Sequence, residues 1–425
     1  MPTRQAVILV GVLAIALLYL LISNSTAPKS EVKPHPPSPS TENGEPVFRQ
    51  RLVAVGDLHG DIQNAQKVLR MAGLIDSQAN WIGGQDILVQ TGDIVDRGAH
   101  ALDIYKLMQK LRGQAAGKGG RVLSILGNHE IMNAIGDWRY VTQDDIKEFG
   151  GTKRRQEALA KDGWLGAEWL ANYSVTAKVP LSPYTHSPAL SFTHGSLRPS
   201  FPNLLPYPKK INELGYSLLS KALTPPLVPP YPPNPYSGLP KGHTREEAEL
   251  YAEGGPLWWR GLAEREDEKQ VCQWAEELKT KLGVRRIIGG HTPNFERIVS
   301  RCNGSIIIID TGISSAYGGV LSALDIVYTL TPVKDRTEGK DTGHRQDPLM
   351  IASFDPSYGT SAKKADIVKG EAERQIDANE NENENTNASA ETSALKGRFI
   401  EREEVHAIYE KRKKLIVVEE REISL

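Results

Sequence analysis

The feature that most constrains this fold is a series of short apolar, β-branched runs, each of which ends in glycine followed by polar residues. The series extends from residue 49 to about residue 330. Short apolar runs bounded by glycine are typical of buried strands. Helical patterns lie between them, and Asp61 is placed to cap the first of these helices. Alternating strands and helices predict an α/β fold.

Polar residues that can bind metal ions follow the predicted strands, at the strand ends where α/β proteins gather their ligands. These candidate ligands are Asp57, His59, Asp93, Asn128, His194 and His291. Because the set lacks thiolates, it suits manganese, iron or zinc in a catalytic centre and not a structural zinc site. Two such ions can share one aspartate and lower the pKa of a water between them, which prepares that water to attack phosphorus. Each motif alone is more often a turn or a cap, but their joint occurrence favours the metal site.

Three sequence blocks resemble the signature motifs of the phosphoprotein phosphatase family, within the calcineurin-like metallophosphoesterase superfamily. They are residues 56–60 (GDLHG), 92–98 (GDIVDRG) and 127–130 (GNHE). Further blocks are similar to the Shewanella-like phosphatases: residues 127–133 (GNHEIMN), 136–141 (GDWRYV) and 255–261 (GPLWWRG). The resemblance covers residues 47–330 and implies an αββα metallophosphoesterase sandwich with a site for two divalent metal ions above the sheets.

The resemblance also implies how the candidate ligands divide between two metals. Asp57 and His59 would hold the first ion, and Asp93 would bridge both. The second ion would be held by Asn128, His194 and His291. The resemblance favours manganese, with iron or zinc as alternatives. One departure from the family pattern is Ser196, where a second glycine is usual, but the ligand His194 is kept.

Catalytic and substrate-binding roles are implied in the same way. His129 would protonate the leaving-group oxygen and would be oriented by Asp96. The residues that would bind the phosphate oxygens are Arg97, Asn128 and Arg260, and a planar guanidinium matches a phosphate in two hydrogen bonds. Residues 314–319 (SSAYGG) resemble the lip loop of larger phosphatases, so Tyr317 would line the cleft.

The predicted function is a dimetal-dependent phosphomonoesterase, and most specifically a protein phosphatase that uses a metal-bridged hydroxide on a phosphoprotein or phosphopeptide substrate. A nucleotide or dinucleotide polyphosphate hydrolase stays open, because the ligand set does not select the leaving group. A catalytically silent, membrane-bound adaptor that binds through the proline-rich residues 224–240 is the alternative from another class. With 51 basic against 52 acidic residues and a net charge of −1, the chain is not a broadly basic nucleic-acid binder.

The two ends of the chain are predicted to flank the catalytic domain, and whether the resemblance extends to the carboxyl-terminal hairpin is left open. Residues 1–28 contain an uncharged apolar run at residues 6–22, near the short end of the roughly 17–25 residues that span a bilayer. They predict a transmembrane anchor, or a signal segment if cleaved, with the catalytic domain luminal or secreted. Residues 29–46 read as a proline- and serine-rich stalk, residues 331–400 as a largely disordered segment, and residues 401–425 as a β-hairpin with its turn at 411–414.

Two smaller questions concern Cys272, Cys302 and a repeated Gly-His-Thr motif. The cysteines pair if the domain is in an oxidising compartment, and they stay reduced otherwise. Gly-His-Thr occurs at 242–244 and at 290–292. His291 follows an apolar strand pattern, whereas the first copy precedes a helix with a capping box of its own, which predicts that only His291 is a ligand.

Overall fold

The computed structural model describes residues 44–224, 238–334 and 395–425. The predicted membrane segment therefore lies outside the described residues, as do almost all of the stalk, most of the proline-rich insertion and most of residues 331–400. Within the ranges that are described, no helix is both long enough and apolar enough to cross a membrane.

The first sheet carries the amino-terminal motifs and has seven strands. Its strands are β1 Phe48–Val55, β2 Ile87–Gln90, β3 Arg121–Ile125, β4 Tyr173–Ser174, β10 Ser322–Pro332, β11 Arg398–Tyr409 and β12 Arg412–Ser424. Their order across the sheet is β12-β11-β10-β1-β2-β3-β4. Strands β1 to β4 are parallel, and β10, β11 and β12 add to the β1 edge in antiparallel pairs.

The second sheet has five strands and carries the remaining ligand motifs. Its strands are β5 Thr176–Pro180, β6 Ala189–Thr193, β7 Arg286–Gly289, β8 Val299–Arg301 and β9 Ile306–Ile308, in the order β5-β6-β7-β9-β8. The three central strands β6, β7 and β9 are parallel.

Helices cover the sheets. Their bounds are α1 Ile62–Met71, α2 Ala101–Ala116, α3 Asn128–Ala134, α4 Gln143–Glu148, α5 Thr152–Leu159, α6 Trp164–Asn172, α7 Lys209–Ala222, α8 Arg245–Tyr251, α9 Gly261–Glu264 and α10 Glu268–Leu282. The predicted cap is observed at α1, where the Asp61 carboxylate accepts a hydrogen bond from the Asn64 N–H at 2.9 Å.

The apolar core has two layers because side chains alternate along the strands. Leu52 and Ala54 of β1 belong to a cluster that also contains Phe192 and Ile288 of the second sheet, so this cluster fills the space between the sheets. Val53 and its alternate neighbours belong to the other cluster, which packs against the helices. The predicted α/β architecture with two sheets is confirmed.

The carboxyl-terminal hairpin is an edge of the first sheet. β11 pairs with β10 from Ser322↔Tyr409 to Pro332↔Phe399. The predicted turn at residues 411–414 is wrong, because β12 begins at Arg412 and the turn lies at residues 410–411. Because β11 pairs with β10 along its full length, β11 and β12 are longer than the short apolar runs from which the hairpin was predicted.

A buried ionic network ties this hairpin to the second sheet. Glu403 of β11 accepts hydrogen bonds from Arg285 and from Arg286 of β7, each at 2.8 Å. Glu401 binds Arg285 and accepts from Arg421 at 3.0 Å. Because the carboxylates of Glu401 and Glu403 are at most 2% exposed, the two sheets are joined by charge as well as by apolar packing.

A disulfide joins α10 to the loop after β8. Cys272 and Cys302 are bonded through their sulfur atoms, with their Cα atoms 5.3 Å apart. Of the two states that the sequence left open, the structure therefore contains the paired one.

We predict that Glu403→Gln destabilises the domain by about 3–5 kcal/mol, because it removes the one fully buried carboxylate that both arginines share. The matched control is Glu420→Gln on β12. The side chains of Glu420 and its partner Arg402 are each about one-third exposed, at 32% and 34%. That control should cost at most about 1 kcal/mol. Urea unfolding of both variants measures the difference, and equal losses would contradict a structural role for the network.

Candidate active site

Six strands deliver the site from both sheets. Asp57, Asp93 and Asn128 follow β1, β2 and β3 of the first sheet. His194, His291 and a residue that the sequence analysis did not single out, Asp310, follow β6, β7 and β9 of the second sheet. Because the carboxyl ends of these parallel strands meet at one edge of the sandwich, residues as far apart in the chain as Asp57 and His291, 234 positions, come into contact there.

The structure contains two clusters of side chains that could bind a metal ion, and the two clusters share the carboxylate of Asp93. One contains His59, Asp93 and His129, and the other contains Asp93, His194 and His291. In each cluster the candidate ligand atoms lie within 4.8 Å of one another. The Asp93 Oδ2 atom is 3.6 Å from His59 Nε2 and 3.2 Å from His194 Nε2. A shared aspartate between two groups of imidazoles is the arrangement expected of a two-metal site.

Asn128 joins the second cluster through its amide oxygen. Its Oδ1 atom is 2.8 Å from His194 Nε2, and that same nitrogen is 3.2 Å from His291 Nδ1. The other ring nitrogen of His194 lies 2.8 Å from the backbone carbonyl of Thr91, which fixes the orientation of the imidazole.

Asp57 lies beside the two clusters, next to another carboxyl group, that of Asp310. Its Oδ1 atom accepts a hydrogen bond from the His291 N–H at 3.3 Å. Burial, together with the negative charges of Asp310 and Asp93, raises the pKa of Asp57 well above its usual range. Burial also raises the pKa of Asp310. Among the described residues neither carboxyl group is paired with a lysine or an arginine, so a bound cation would stabilise the two together.

The protonation states of His59, His291 and Asp93 fit metal binding. Burial and the neighbouring His129 lower the pKa of His59 to about 4. Burial, with His194 and Arg260 nearby, lowers the pKa of His291 to about 2. Although burial opposes it, the surrounding histidines hold the pKa of Asp93 well below its usual range. Neutral imidazole and ionised carboxylate are the forms that bind metal ions, so the residues present fit two divalent cations.

His129 is held by a chain of buried polar groups. Its Nδ1 atom is 2.6 Å from Asp96 Oδ2, and the other oxygen of Asp96 accepts a hydrogen bond from Asn133 at 3.0 Å. The Asn133 amide oxygen accepts in turn from Arg155 at 2.8 Å, and Arg155 is paired with Asp145 at 2.7 Å. Arg155 and Asp145 are fully buried. The predicted contact between His129 and Asp96 is thus present. The sequence did not predict the hydrogen bonds of Asn133 and Arg155 that hold Asp96 in place.

Arg97 lies between two tyrosine rings at the mouth of the site. Its guanidinium carbon is 4.5 Å from the ring centroid of Tyr140 and 4.9 Å from that of Tyr317. Its buried Nε has no hydrogen-bond partner among the described residues. Tyr317 also lies 5.3 Å from the His59 ring, and its predicted place in the cleft stays a prediction. Tyr140, which packs 5.1 Å from the His129 ring, was not assigned a role from sequence.

Arg260 approaches the site from the other side. It donates a hydrogen bond to the backbone carbonyl of His291 at 2.6 Å and lies 4.0 Å from Glu264. Its side chain is 36% exposed, so its remaining donors face the cleft or solvent. The adjacent Trp258 packs its ring edge-to-face on His291, with 5.7 Å between the centroids, which agrees with a packing role.

Five site residues adopt left-handed backbone conformations that are costly for residues other than glycine. They are His59, Asp93, Asp96, Arg97 and His291, with φ values of 38°, 55°, 73°, 67° and 66°. Each such conformation costs about 1–3 kcal/mol unless its surroundings enforce it. The strained turns point these side chains into the site.

Glu130 stabilises the strained turn at Asp93. Its buried carboxylate accepts hydrogen bonds from the N–H groups of Asp93, Ile94 and Gly127 at 2.9, 2.9 and 2.7 Å, and from the Tyr105 hydroxyl at 2.8 Å. Gly127 is required at the same point, because a Cβ there would lie 2.0 Å from Asp93 Oδ1. Glu130 lies within the GNHE block, but the sequence did not predict that its carboxylate binds these backbone N–H groups.

Comparisons with known proteins identify what this site is similar to. A sequence profile of the calcineurin-like phosphoesterases matches residues 50–295, which is more than half of the chain. An uncharacterised protein of Schizosaccharomyces pombe is 37% identical over 279 residues, which cover 65% of this chain and 76% of that protein. Shewanella-like protein phosphatase 2 of Arabidopsis thaliana is 33% identical, over 66% of this chain and 76% of its own.

A solved structure shares the fold. The cold-active protein-tyrosine phosphatase of a psychrophilic Shewanella species superposes with a TM-score of 0.51 at 23% identity, over 65% of this chain and 75% of its own.

We predict that His291→Ala removes one of two bound cations and abolishes turnover, because it deletes a ligand of the second cluster. The matched control is His243→Ala in the other Gly-His-Thr copy. His243 is exposed and contacts the Pro240 carbonyl, and the next residue, Thr244, forms the predicted capping box with Glu247. Metal content by mass spectrometry and kcat check both variants. Loss of metal in His243→Ala but not in His291→Ala would overturn the assignment.

Proposed function

This chain belongs to the calcineurin-like phosphoesterase family and, within it, to the Shewanella-like phosphatases, and on that premise we propose that it is a protein phosphatase that hydrolyses phosphorylated side chains. Membership makes it a metal-dependent phosphoric-monoester hydrolase. The finer proposal concerns the substrate and the residues that act on it.

The observation that carries the proposal is that three kinds of group lie together around Asp93. Two candidate metal-binding clusters share it and His129 has its Nε2 atom 3.8 Å from it. The Arg97 guanidinium packs on Tyr140 and Tyr317, whose rings lie against His129 and His59. Metal ligands, a proton donor and a phosphate-binding cation are the parts that hydrolysis of a phosphate monoester needs.

In this proposal Asp57, His59 and Asp93 hold the first cation. The second is held by Asp93 together with Asn128, His194 and His291. Manganese is the ion we favour, with iron or zinc as alternatives that the same donors accept. Divalent cations in such a centre neutralise phosphate charge and supply an activated water as nucleophile.

The chain's own residues then bind the phosphate and manage the proton. Arg97 offers its guanidinium to the phosphate oxygens while two tyrosines hold its plane, and Arg260 and Asn128 contribute further donors. Burial lowers the pKa of His129, but the negative charges of Asp93 and Asp96 outweigh burial and raise it. A protonated His129 can give its Nε2 proton to the leaving-group oxygen, while Asp96 keeps the ring oriented.

We expect His129→Asn to keep both cations and to lower kcat by about 10²–10⁴-fold, as for the loss of general-acid catalysis. Asp93→Asn should instead lose both cations together, because it removes the charge that the two clusters share. Metal content and kcat are measured on the same samples. Because His129 also lies within the first cluster, a His129→Asn protein without metal would show that this histidine is a ligand and not the acid.

A substrate panel tests the proposed class directly. An aryl phosphate establishes metal-dependent turnover, and phosphotyrosyl and phosphoseryl peptides are then compared with dinucleotide polyphosphates. We expect kcat/KM to be higher for phosphopeptides. A clear preference for dinucleotides would favour the polyphosphate hydrolase, and no turnover of any phosphate with the metals bound would favour the silent adaptor.

A further inference from the structure

A basic surface lies beside the candidate active site, and the proposed reaction does not use it. It consists of Lys67 and Arg70 on α1 and of Lys411, Arg412 and Lys413 on the β11–β12 turn, and we call it the basic groove. These side chains line a surface cavity of about 710 Å³, and one acidic residue, Glu410, shares the lining. Because the whole chain has a net charge of −1, this concentration of positive charge is local.

Most of this charge is not neutralised within the part of the chain that the structure describes. Lys413 is paired with Asp325 at 2.6 Å, whereas Lys67 contacts the Asn64 amide at 3.4 Å and Arg70 contacts Gln66 at 3.4 Å. Among the described residues, Lys67, Arg70, Lys411 and Arg412 form no ion pair with a carboxylate. Unneutralised cations around a cavity attract an anionic ligand.

The basic groove adjoins the catalytic edge of the first sheet. In the strand register Ala54 lies opposite Leu324, and Ser322 lies opposite Tyr409. The turn at residues 410–411 therefore extends past the end of β1, on the side from which Asp57 and His59 emerge. The basic turn and the ligands that follow β1 thus lie at the same edge of the first sheet.

Direct contacts connect α1, which carries two basic residues of the groove, to the loop that carries Tyr317. Asp61, at the start of α1, accepts a hydrogen bond from the Ser315 N–H at 2.8 Å. Asn64 donates to the Ile313 carbonyl at 2.8 Å, and Lys67 follows one helical turn later. The helix that carries Lys67 and Arg70 is thus fixed at its amino-terminal end to the loop that carries Tyr317.

The floor of the groove is apolar, which favours a peptide over a free inorganic anion. Met71, Leu321 and Ile408 are partly buried and line the same cavity as the lysines. A small phosphate ion would gain nothing from such a floor, whereas peptide side chains can pack on it while acidic groups meet the basic rim.

We propose that the basic groove binds an acidic segment of the phosphoprotein substrate and makes the enzyme selective for phosphorylated residues with nearby Glu or Asp. The proposal rests on the proposed protein-phosphatase function. Lys67 lies six residues beyond Asp61, about 9 Å along the helix axis at 1.5 Å per residue. An extended peptide covers that distance in about three residues at 3.3 Å each, so the preferred acidic positions are about three to five residues from the phosphorylated one.

The test compares two peptides with the same phosphorylated residue, one with three glutamates at those positions and one with three glutamines. The variant is Lys67→Glu/Lys411→Glu, and the matched control is Lys110→Glu/Lys118→Glu. The control lysines are also exposed, but they lie on α2 and in the turn before β3, toward the opposite edge of the sheet. An aryl phosphate reports on the metal centre, and Tm reports on the fold.

For the wild type and the control we expect kcat/KM to be about ten-fold or more higher for the acidic peptide. This preference should shrink at high salt and disappear in the Lys67→Glu/Lys411→Glu variant, with aryl phosphate turnover and Tm unchanged. A wild type that dephosphorylates both peptides equally would overturn the docking proposal alone. A wild type that hydrolyses the aryl phosphate but neither peptide would overturn the proposed function as well.

Two other results would also overturn the proposal. If the double variant loses aryl phosphate turnover in parallel, the lysines act through the metal centre and not through docking. If it keeps the peptide preference but no longer binds vesicles of phosphatidylcholine and phosphatidylserine, the groove is a membrane contact.

Discussion

The hydrogen bonds that the Glu130 carboxylate accepts are the interaction on which the candidate centre depends. This single buried group holds the N–H groups of Asp93, Ile94 and Gly127, and so it fixes the β2 and β3 loops against each other. Asp93 has a left-handed backbone conformation there, with φ of 55°, which a free loop would avoid. Without that conformation its carboxylate would not stand between the two groups of histidines.

The rest of the centre depends on keeping two sheets in register. Asp93 and Asn128 come from the first sheet, whereas His194 and His291 come from the second, so a small shift between the sheets would separate the shared carboxylate from half of its partners. Apolar packing between the sheets is not directional. The buried pairs of Arg285 and Arg286 with Glu401 and Glu403 add directional contacts across the sandwich.

This arrangement explains why the distant end of the chain belongs to the catalytic domain. Strand β11 follows β10 only after the long stretch from 335 to 394, yet it pairs with β10 along its whole length and supplies both glutamates of the network. The same hairpin places its basic turn at the catalytic edge. Stability and the proposed substrate selectivity would then depend on one element.

The features that could be predicted from the sequence are those that depend on residues close together along the chain. A strand pattern followed by Gly-Asp or Gly-His shows where a ligand emerges, and the carboxyl ends of parallel strands meet by geometry, so Asp93, His194 and His291 could be expected together. The capping box at Thr244 likewise separated His243 from the site, because the box lies within four consecutive residues.

What could not be predicted depends on contacts between positions that carry no local motif. Arg155 reaches Asn133 from another helix, and Asp310 comes to Asp57 from the opposite sheet, so no spacing along the chain reveals either contact. Tyr140 and Glu130 stand inside motifs that were read from sequence, but their tasks depend on which backbone groups and rings fold around them. The extent of the hairpin depended on the length of β10, its neighbour in the sheet.

The central claim is that Asp93 is shared between two cation sites, and anomalous diffraction from crystals grown with manganese tests it most directly. Two anomalous peaks should flank the Asp93 carboxylate, one on the side of His59 and the other among Asn128, His194 and His291. A single peak, or a pair of peaks of which only one contacts Asp93, would contradict the account.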